Sequence, residues 1–195
     1  EIIVVDSGSF DRTRELAKGH ADRLLRIESR DFTFGYSLNT GIRASRGKFL
    51  VIVSAHTLPV HRDWLGLLVT PLRDDQIAMV YGRQVGVATS KFSETQDFDR
   101  IFRTERRLLR PRQFFANNAN SAIRRDVWEE HPFDESLPGL EDVEWAKYWM
   151  ERGRQVLYES GAVLYHIHEE DWRQVRRRYY REAVAAHWLG LKKRK

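Results

Sequence analysis

The chain has 195 residues, 42% of them hydrophobic and 31% charged, with 33 Lys+Arg against 28 Asp+Glu and a formal net charge of +5. That supplies enough apolar material for one large domain or two small ones, and six Trp, seven Tyr and ten Phe exclude a disordered tail. No apolar run approaches the roughly 20 residues that cross a bilayer, no charged-then-apolar leader opens the sequence, and the absence of cysteine excludes disulfides, thiolate zinc sites and cysteine nucleophiles.

Glu1 to Val5 is a β-branched run ending at Asp6-Ser7-Gly8-Ser9, and reads as a central strand of a parallel sheet. Asp11 to His20 reads as a short surface helix and Leu24 to Ile27 as a second strand. Tyr36 to Ser45 carries Leu38 and Ile42 at helical spacing, and Phe49 to Val53 is the next buried strand, with Ser54-Ala55-His56-Thr57 at its carboxyl end. A helix over Asp63 to Leu72 and a strand over Ile77 to Tyr81 follow. Strand and helix alternate, which predicts a layered α/β sheet whose ligands sit beyond the carboxyl ends of the strands. Asp6 and His56 both fall at that edge.

Gly82 to Arg112 is irregular and includes six arginines between Arg100 and Arg112. Ala116 to Ile123 reads as a strand rich in asparagine, and Arg125 to Glu130 as a helix. Glu141-Asp142 opens a helix reaching about Arg152. Val156 to Tyr158 and Ala162 to Tyr165 read as two short strands, the second delivering His166 and His168. From Trp172, the residues Val175, Tyr179, Ala183 and Ala186 recur at helical spacing, so this helix is expected to pack them inward and turn an arginine-rich face to solvent. The organisation expected is a domain over 1–170 and a basic C-terminal helix over 171–195.

Five segments in order resemble the family-2 glycosyltransferases with the A-type nucleotide-sugar fold: EIIVVDSGSFDRT, SLNTGIRASRGKFLVIVSAHTLPVHRDWL, ANNANSAIRRDVWEE with FDESL, GLEDVEWAKYWMERG, and AVLYHIHEEDW. The resemblance implies a three-layer α/β/α, Rossmann-like fold with a mostly parallel central sheet. It implies a further strand before Glu1, so the chain is expected to be part of a longer polypeptide. The family's Asp-x-Asp metal motif stands here as Ser54-Ala55-His56, similar to the Asp-x-His variant of the polypeptide N-acetylgalactosaminyltransferases but without the leading Asp.

The implied activity is transfer from a nucleotide-diphosphate sugar to a hydroxyl of a saccharide or lipid-linked acceptor. The charge of the departing diphosphate requires a divalent cation, Mn2+ or Mg2+. His56 is the candidate ligand at the strand end. Of His166 and His168 only one is expected to point inward, and the resemblance favours His166 as the second ligand. Asp142 is the expected general base for an inverting attack, since burial at a loop-to-helix junction raises a carboxyl toward neutrality.

By the same resemblance, Asp6, Ser7, Asn39, Arg46 and Ala55 face the donor, while Asn120, Glu141 and Trp145 face the acceptor. Each also has a plainer reading: DSGS is a good turn and cap, and acidic pairs are common at helix starts. The basic runs suit an anionic membrane surface, so a cytoplasmic protein peripheral to the inner membrane face is expected. No recognised nucleic-acid motif accompanies them, and no nucleic acid partner is expected. A dehydrogenase is excluded because DSGSFD lacks the glycine spacing of a dinucleotide turn. Two other readings stand beside transfer: a catalytically impaired relative, suggested by Ser54, and a basic binding module.

Overall fold

The apolar runs of the sequence become strands buried on both faces, and that burial sets the architecture. In a computed structural model that describes residues 1–191, β1 (Ile3–Asp6) pairs in parallel with β2 (Arg23–Arg26), flanking α1 (Thr13–His20). The last four residues of the basic C-terminal run, 192–195, lie outside the described residues. After α2 (Phe34–Ala44) come β3 (Phe49–Val53), β4 (Thr57–Pro59) and α3 (Trp64–Val69), then β5 (Ile77–Val85). The chain continues through α4 (Phe92–Ile101), β6 (Arg107–Leu108), β7 (Asn120–Arg124), α5 (Arg125–Glu130), α6 (Glu141–Glu151), β8 (Gln155–His166) and α7 (Trp172–Trp188).

Six strands form the main sheet in the order β3-β7-β5-β8-β4, with β6 also on β8. Side chains alternate to two cores. Met79, Tyr81, Ile123, Val156 and Tyr158 face one side, under α2, α4, α5 and α6. Val80, Ala122 and Leu157 face the other, against Leu68 of α3. The result is the expected α/β/α layering.

Strand direction is where expectation and structure part. The sheet is mixed: β5 and β8 are parallel, while β3–β7, β5–β7, β4–β8 and β6–β8 are antiparallel. A continuous apolar run reports that both faces are covered, and helices cover this sheet on both sides whichever way its strands run. Direction is decided by the long return through α4 and β6, which brings β7 back between β3 and β5.

Three further differences bear on the site. The two short strands expected after Gln155 are one, interrupted by a bulge: Gly82 pairs with Glu159 but Arg83 with Val163. The asparagine-rich strand starts later than its composition suggests, because Asn117 Oδ1 accepts from the Ala119 amide at 3.0 Å and turns the chain before Asn120. In α7 the inward face is rotated from the apolar one. Trp172 and Tyr179 are exposed, while Val175, Arg178, Arg181, Glu182 and Ala185 turn toward the domain. Polar groups face inward there because the surface they meet is itself polar.

Gly82 marks the tightest approach in the sheet. A Cβ there would collide with the Asn120 side-chain amide and the Ala162 carbonyl oxygen. Gly82→Ala is therefore expected to lower stability by about 1–3 kcal/mol in urea unfolding, since backbone on one side of the contact has to shift.

Candidate active site

The rim of the sheet is built by one register. Thr57 of β4 stands opposite His166 of β8, and the Ile167 amide donates to the His56 carbonyl at 2.9 Å. This sets His56 Nε2 at 2.8 Å from His166 Nε2 across a separation of 110 residues. His168 joins them, with ring centroids 4.1 Å from His166 and 5.2 Å from His56. The expectation that only one of His166 and His168 points inward does not hold: residues two apart along a strand share a face, and both rings join His56.

Surrounding groups fix the rings. The Nδ1–H of His166 donates to Gln84 Oε1 at 2.6 Å, and Gln84 is fully buried on β5. Glu94, from α4, accepts from His168 Nδ1. Burial, then the charge of His168, holds the His56 imidazole below its ordinary range, and burial chiefly pushes His166 down to about 3. Both rings are neutral at pH 7, as metal ligation requires. Ligand atoms of His56, His166 and His168 all lie within 4.8 Å of one another, a donor set whose chemistry fits a divalent transition metal.

The second part of the site is acidic. Leu140 adopts a left-handed conformation (φ +60°) that turns the chain into α6 and buries Glu141 and Asp142 in its first turn. Asp142 Oδ2 accepts from the Asn118 amide at 3.0 Å and Oδ1 from its neighbour Val143 at 2.8 Å. Burial pushes Asp142 up to about 6, with the charge of Glu182 adding to it. Burial and then the charge of Asp142 push Glu141 up to about 8.

These two parts adjoin. The Ser54 amide donates to the Ala119 carbonyl, one residue from the Asn118 that holds Asp142. Glu182 of α7 feels His168 and is felt by Asp142, while Arg178, paired with Glu170 at 2.9 Å, acts on both His56 and His166. The C-terminal helix is thus a wall of the site, which its apolar spacing does not reveal.

Other expected residues serve elsewhere. Asp6 accepts from the Gly8 and Ser9 amides at 3.3 and 3.0 Å, which turns the chain after β1 and uses the positive φ of Gly8. Ser7 lines an open recess with Phe10, Ser29 and Phe32. Ala55 is exposed in the turn beside His56. Asn39 cannot face a donor: its amide donates to the Phe133 carbonyl and Glu135, and its oxygen accepts from Trp128 Nε1 and the Phe133 amide, exhausting all four capacities. Arg46 precedes β3 whereas His56 follows it, so five residues of strand, about 16 Å, separate their rims.

Asn120 and Trp145 do not reach an acceptor either. Asn120 is fully buried, accepting from Trp64 Nε1 and donating to the Arg83 and Ala162 carbonyls, a staple across β7, β5 and β8. Trp145 is fully buried in the core with its Nε1 on the His131 carbonyl at 2.6 Å. The residues missed from sequence are Gln84, Glu94, Arg178 and Glu182. Glu94 and Phe98 at i and i+4 were the available signal for α4.

The fold and this rim define the class: an α/β/α scaffold of the nucleotide-sugar transferase type. A mannosyltransferase from Pyrobaculum calidifontis, solved with GDP-Man and Mn2+, superposes with a TM-score of 0.71 at 23% identity, covering 100% of this chain and 56% of that one. GalNAc-T7, solved with UDP, GalNAc and Mn2+, gives 0.64 at 18% identity over 86% of this chain and 38% of its own.

The profile of "Glycosyl transferase family 2" matches residues 1–131, and the chain belongs to that family. It is 24% identical over 194 residues to the O-antigen chain rhamnosyltransferase WbaN of Salmonella anatum, covering 94% of this chain and 62% of the relative. It is 26% identical over 171 residues to glycosyltransferase AglE of Haloferax volcanii, covering 85% of this chain and 56% of the relative. The chain therefore spans about three-fifths of the length of these two relatives. Among the described residues no helix is long and apolar enough to cross a membrane.

The Glu141 carboxyl gives a stability test with a definite sign. Its proton is held up to about pH 8 when folded but lost near the ordinary 4.5 when unfolded, so its contribution favours the fold below 4.5 and disappears as pH rises through 8. Glu141→Gln is expected to unfold at higher urea than the unsubstituted protein above pH 8, and at nearly equal urea at pH 4.

Proposed function

We propose that this chain carries the donor- and metal-handling part of an inverting glycosyltransferase, moving a sugar from a nucleotide-diphosphate sugar to a hydroxyl of a saccharide or lipid-linked acceptor. The observation carrying this reading is the adjacency of a buried, twice-hydrogen-bonded carboxylate, Asp142, to an imidazole cluster at one sheet rim. Membership of glycosyl transferase family 2 supports it, as do the rhamnosyltransferase relative and the fold shared with a GDP-Man-binding mannosyltransferase.

Asp142 takes the proton of the acceptor hydroxyl as that oxygen attacks the anomeric carbon. The bond from that carbon to the diphosphate oxygen breaks, and its electron pair leaves with the nucleoside diphosphate. Asn118 and Val143 amides fix the carboxylate, and the positive end of α6 favours its ionised form. His56 and His166 would hold a divalent cation whose chemistry is to offset charge developing on the departing diphosphate. Burial and the charge of Asp142 keep the proton on Glu141, whose neutral carboxyl accepts from the Asn118 side-chain amide and stands on the acceptor side of the base. The recess at Ser7 receives the base, with Asp6 shaping its turn and Ala55 leaving the approach to the diphosphate open.

Residues 1–170 carry these groups, and α7 (Trp172–Trp188), in the C-terminal stretch 171–195, closes the site with Arg178 and Glu182. Its outer face, with exposed Trp172, Tyr180 and Trp188 beside Arg173, Arg176 and Arg177, suits anionic headgroups near a lipid-linked acceptor. This favours a position at the cytoplasmic face of a membrane.

Asp142→Asn in the full-length protein is expected to lower turnover by about 10²–10⁴-fold while nucleotide-sugar affinity holds. The unsubstituted enzyme should gain rate as pH rises through about 6, where Asp142 loses its proton. Full activity in the Asn variant removes Asp142 as the base. His56→Ala is expected to abolish the difference in nucleotide-sugar binding with and without Mn2+, measured by calorimetry; an unaltered difference takes His56 out of the site.

A further inference from the structure

The Ser54-Ala55-His56 turn lacks the carboxylate that would supply a hard oxygen ligand, yet the space it would serve is not short of donors. His168 comes from beyond the end of β8 and lies tilted against both His56 and His166, and the ligand atoms of all three rings fall within 4.8 Å. Its orientation is enforced. Glu94, on the inward face of α4, holds His168 Nδ1, which leaves Nε2 as the atom free to ligate. Gln84 does the same for His166, fixing its proton on Nδ1 and exposing the Nε2 lone pair toward His56. Among the described residues the other polar atoms of these side chains, Glu94 Oε2 and Gln84 Nε2, are buried without a hydrogen-bond partner, so the ring nitrogens are the partners these two side chains hold.

We infer that His168 is a third cation ligand replacing the lost carboxylate, positioned by Glu94, and that the three-imidazole centre selects a nitrogen-favouring transition metal over Mg2+. The inference rests on the reading of His56 and His166 as ligands and extends it in two respects: ligand number and metal choice. Imidazole affinity of the divalent ions rises from Mn2+ through Co2+ to the later metals, with Zn2+ also favoured, whereas Mg2+ keeps its waters and asks for oxygen. Without nucleotide, no phosphate oxygen is present to mask that order. Glu94 is a positioning residue: it reaches the cation only through His168.

The test strips the full-length protein with a chelator and titrates it, without nucleotide, with Co2+, Zn2+, Mn2+ and Mg2+ separately. Binding is read by calorimetry, and the Co2+ form also by its visible d–d absorption. Affinity is expected in the order Zn2+ above Co2+ above Mn2+, with millimolar Mg2+ failing to displace Co2+. His168→Ala should weaken Co2+ binding about 10–100-fold and change the visible spectrum, and Glu94→Gln should weaken it by about tenfold with the spectrum nearly kept. Circular dichroism of each variant establishes that it has folded, and His168→Gln serves if the Ala variant has not.

Wild-type affinity and spectrum in both folded His168 variants overturn the third ligand, and displacement of Co2+ by Mg2+ overturns the selectivity. If His56→Ala and His166→Ala also bind Co2+ as the unsubstituted protein does, the underlying cation site itself fails, a result distinct from failure at His168 alone.

Discussion

The pairing of Thr57 with His166 across β4 and β8 is the constraint on which the site depends. A three-residue edge strand is a weak element by itself, yet here it fixes the distance between imidazoles 110 residues apart in the chain. Its register is secured by β8, which is locked to β5 along most of its length and held over the Glu159–Ala162 bulge by Asn120. Slipping β4 by one residue would exchange the faces of its side chains and separate His56 from His166. The geometry of the imidazole cluster is therefore a property of sheet pairing, and the side chains at the rim inherit their positions from it.

The acidic half of the site follows a different logic. Two adjacent carboxyls buried at a helix start are unfavourable for folding, since each must shed its hydration and each repels the other. The first-turn amides, the Asn118 backbone and the helix dipole offset part of that cost. What is left over appears as raised proton affinity in both groups, with Asp142 near neutrality. Stability is surrendered where the two carboxyls are buried side by side. The left-handed Leu140 belongs to the same account, as backbone strain that sets the entry angle of α6.

Helix α7 joins the two halves. Its inward residues are charged: Arg178 pairs with Glu170 and influences the imidazoles, and Glu182 lies between His168 and Asp142. Arg181 rests on the Phe34 ring and against Gly139, so the same helix touches the loop leading into α6. Its exposed aromatics and arginines point the other way. One helix thus presents a polar face to the site and an amphipathic face to the surroundings.

Local chemistry was enough to find the elements. Phe49–Val53 and Arg125–Glu130 were legible to the residue because burial on both sheet faces demands unbroken apolar runs and because Arg125 onward has no competing breaker. The sequence by itself also determined the family, through ordered segments, and singled out His56, His166 and Asp142, which the fold brings to one rim. Only the tertiary structure decided strand direction, since a strand covered on both faces looks the same run either way. It alone removed Asn39, Asn120 and Trp145 from the ligand-facing set, because whether a polar side chain is free depends on partners far along the chain, such as Phe133 for Asn39 and Ala162 for Asn120. It alone brought Glu94 and His168 to the imidazole cluster and turned α7 inward on its charged side. Contacts of that kind are made between distant segments, and no local periodicity encodes them.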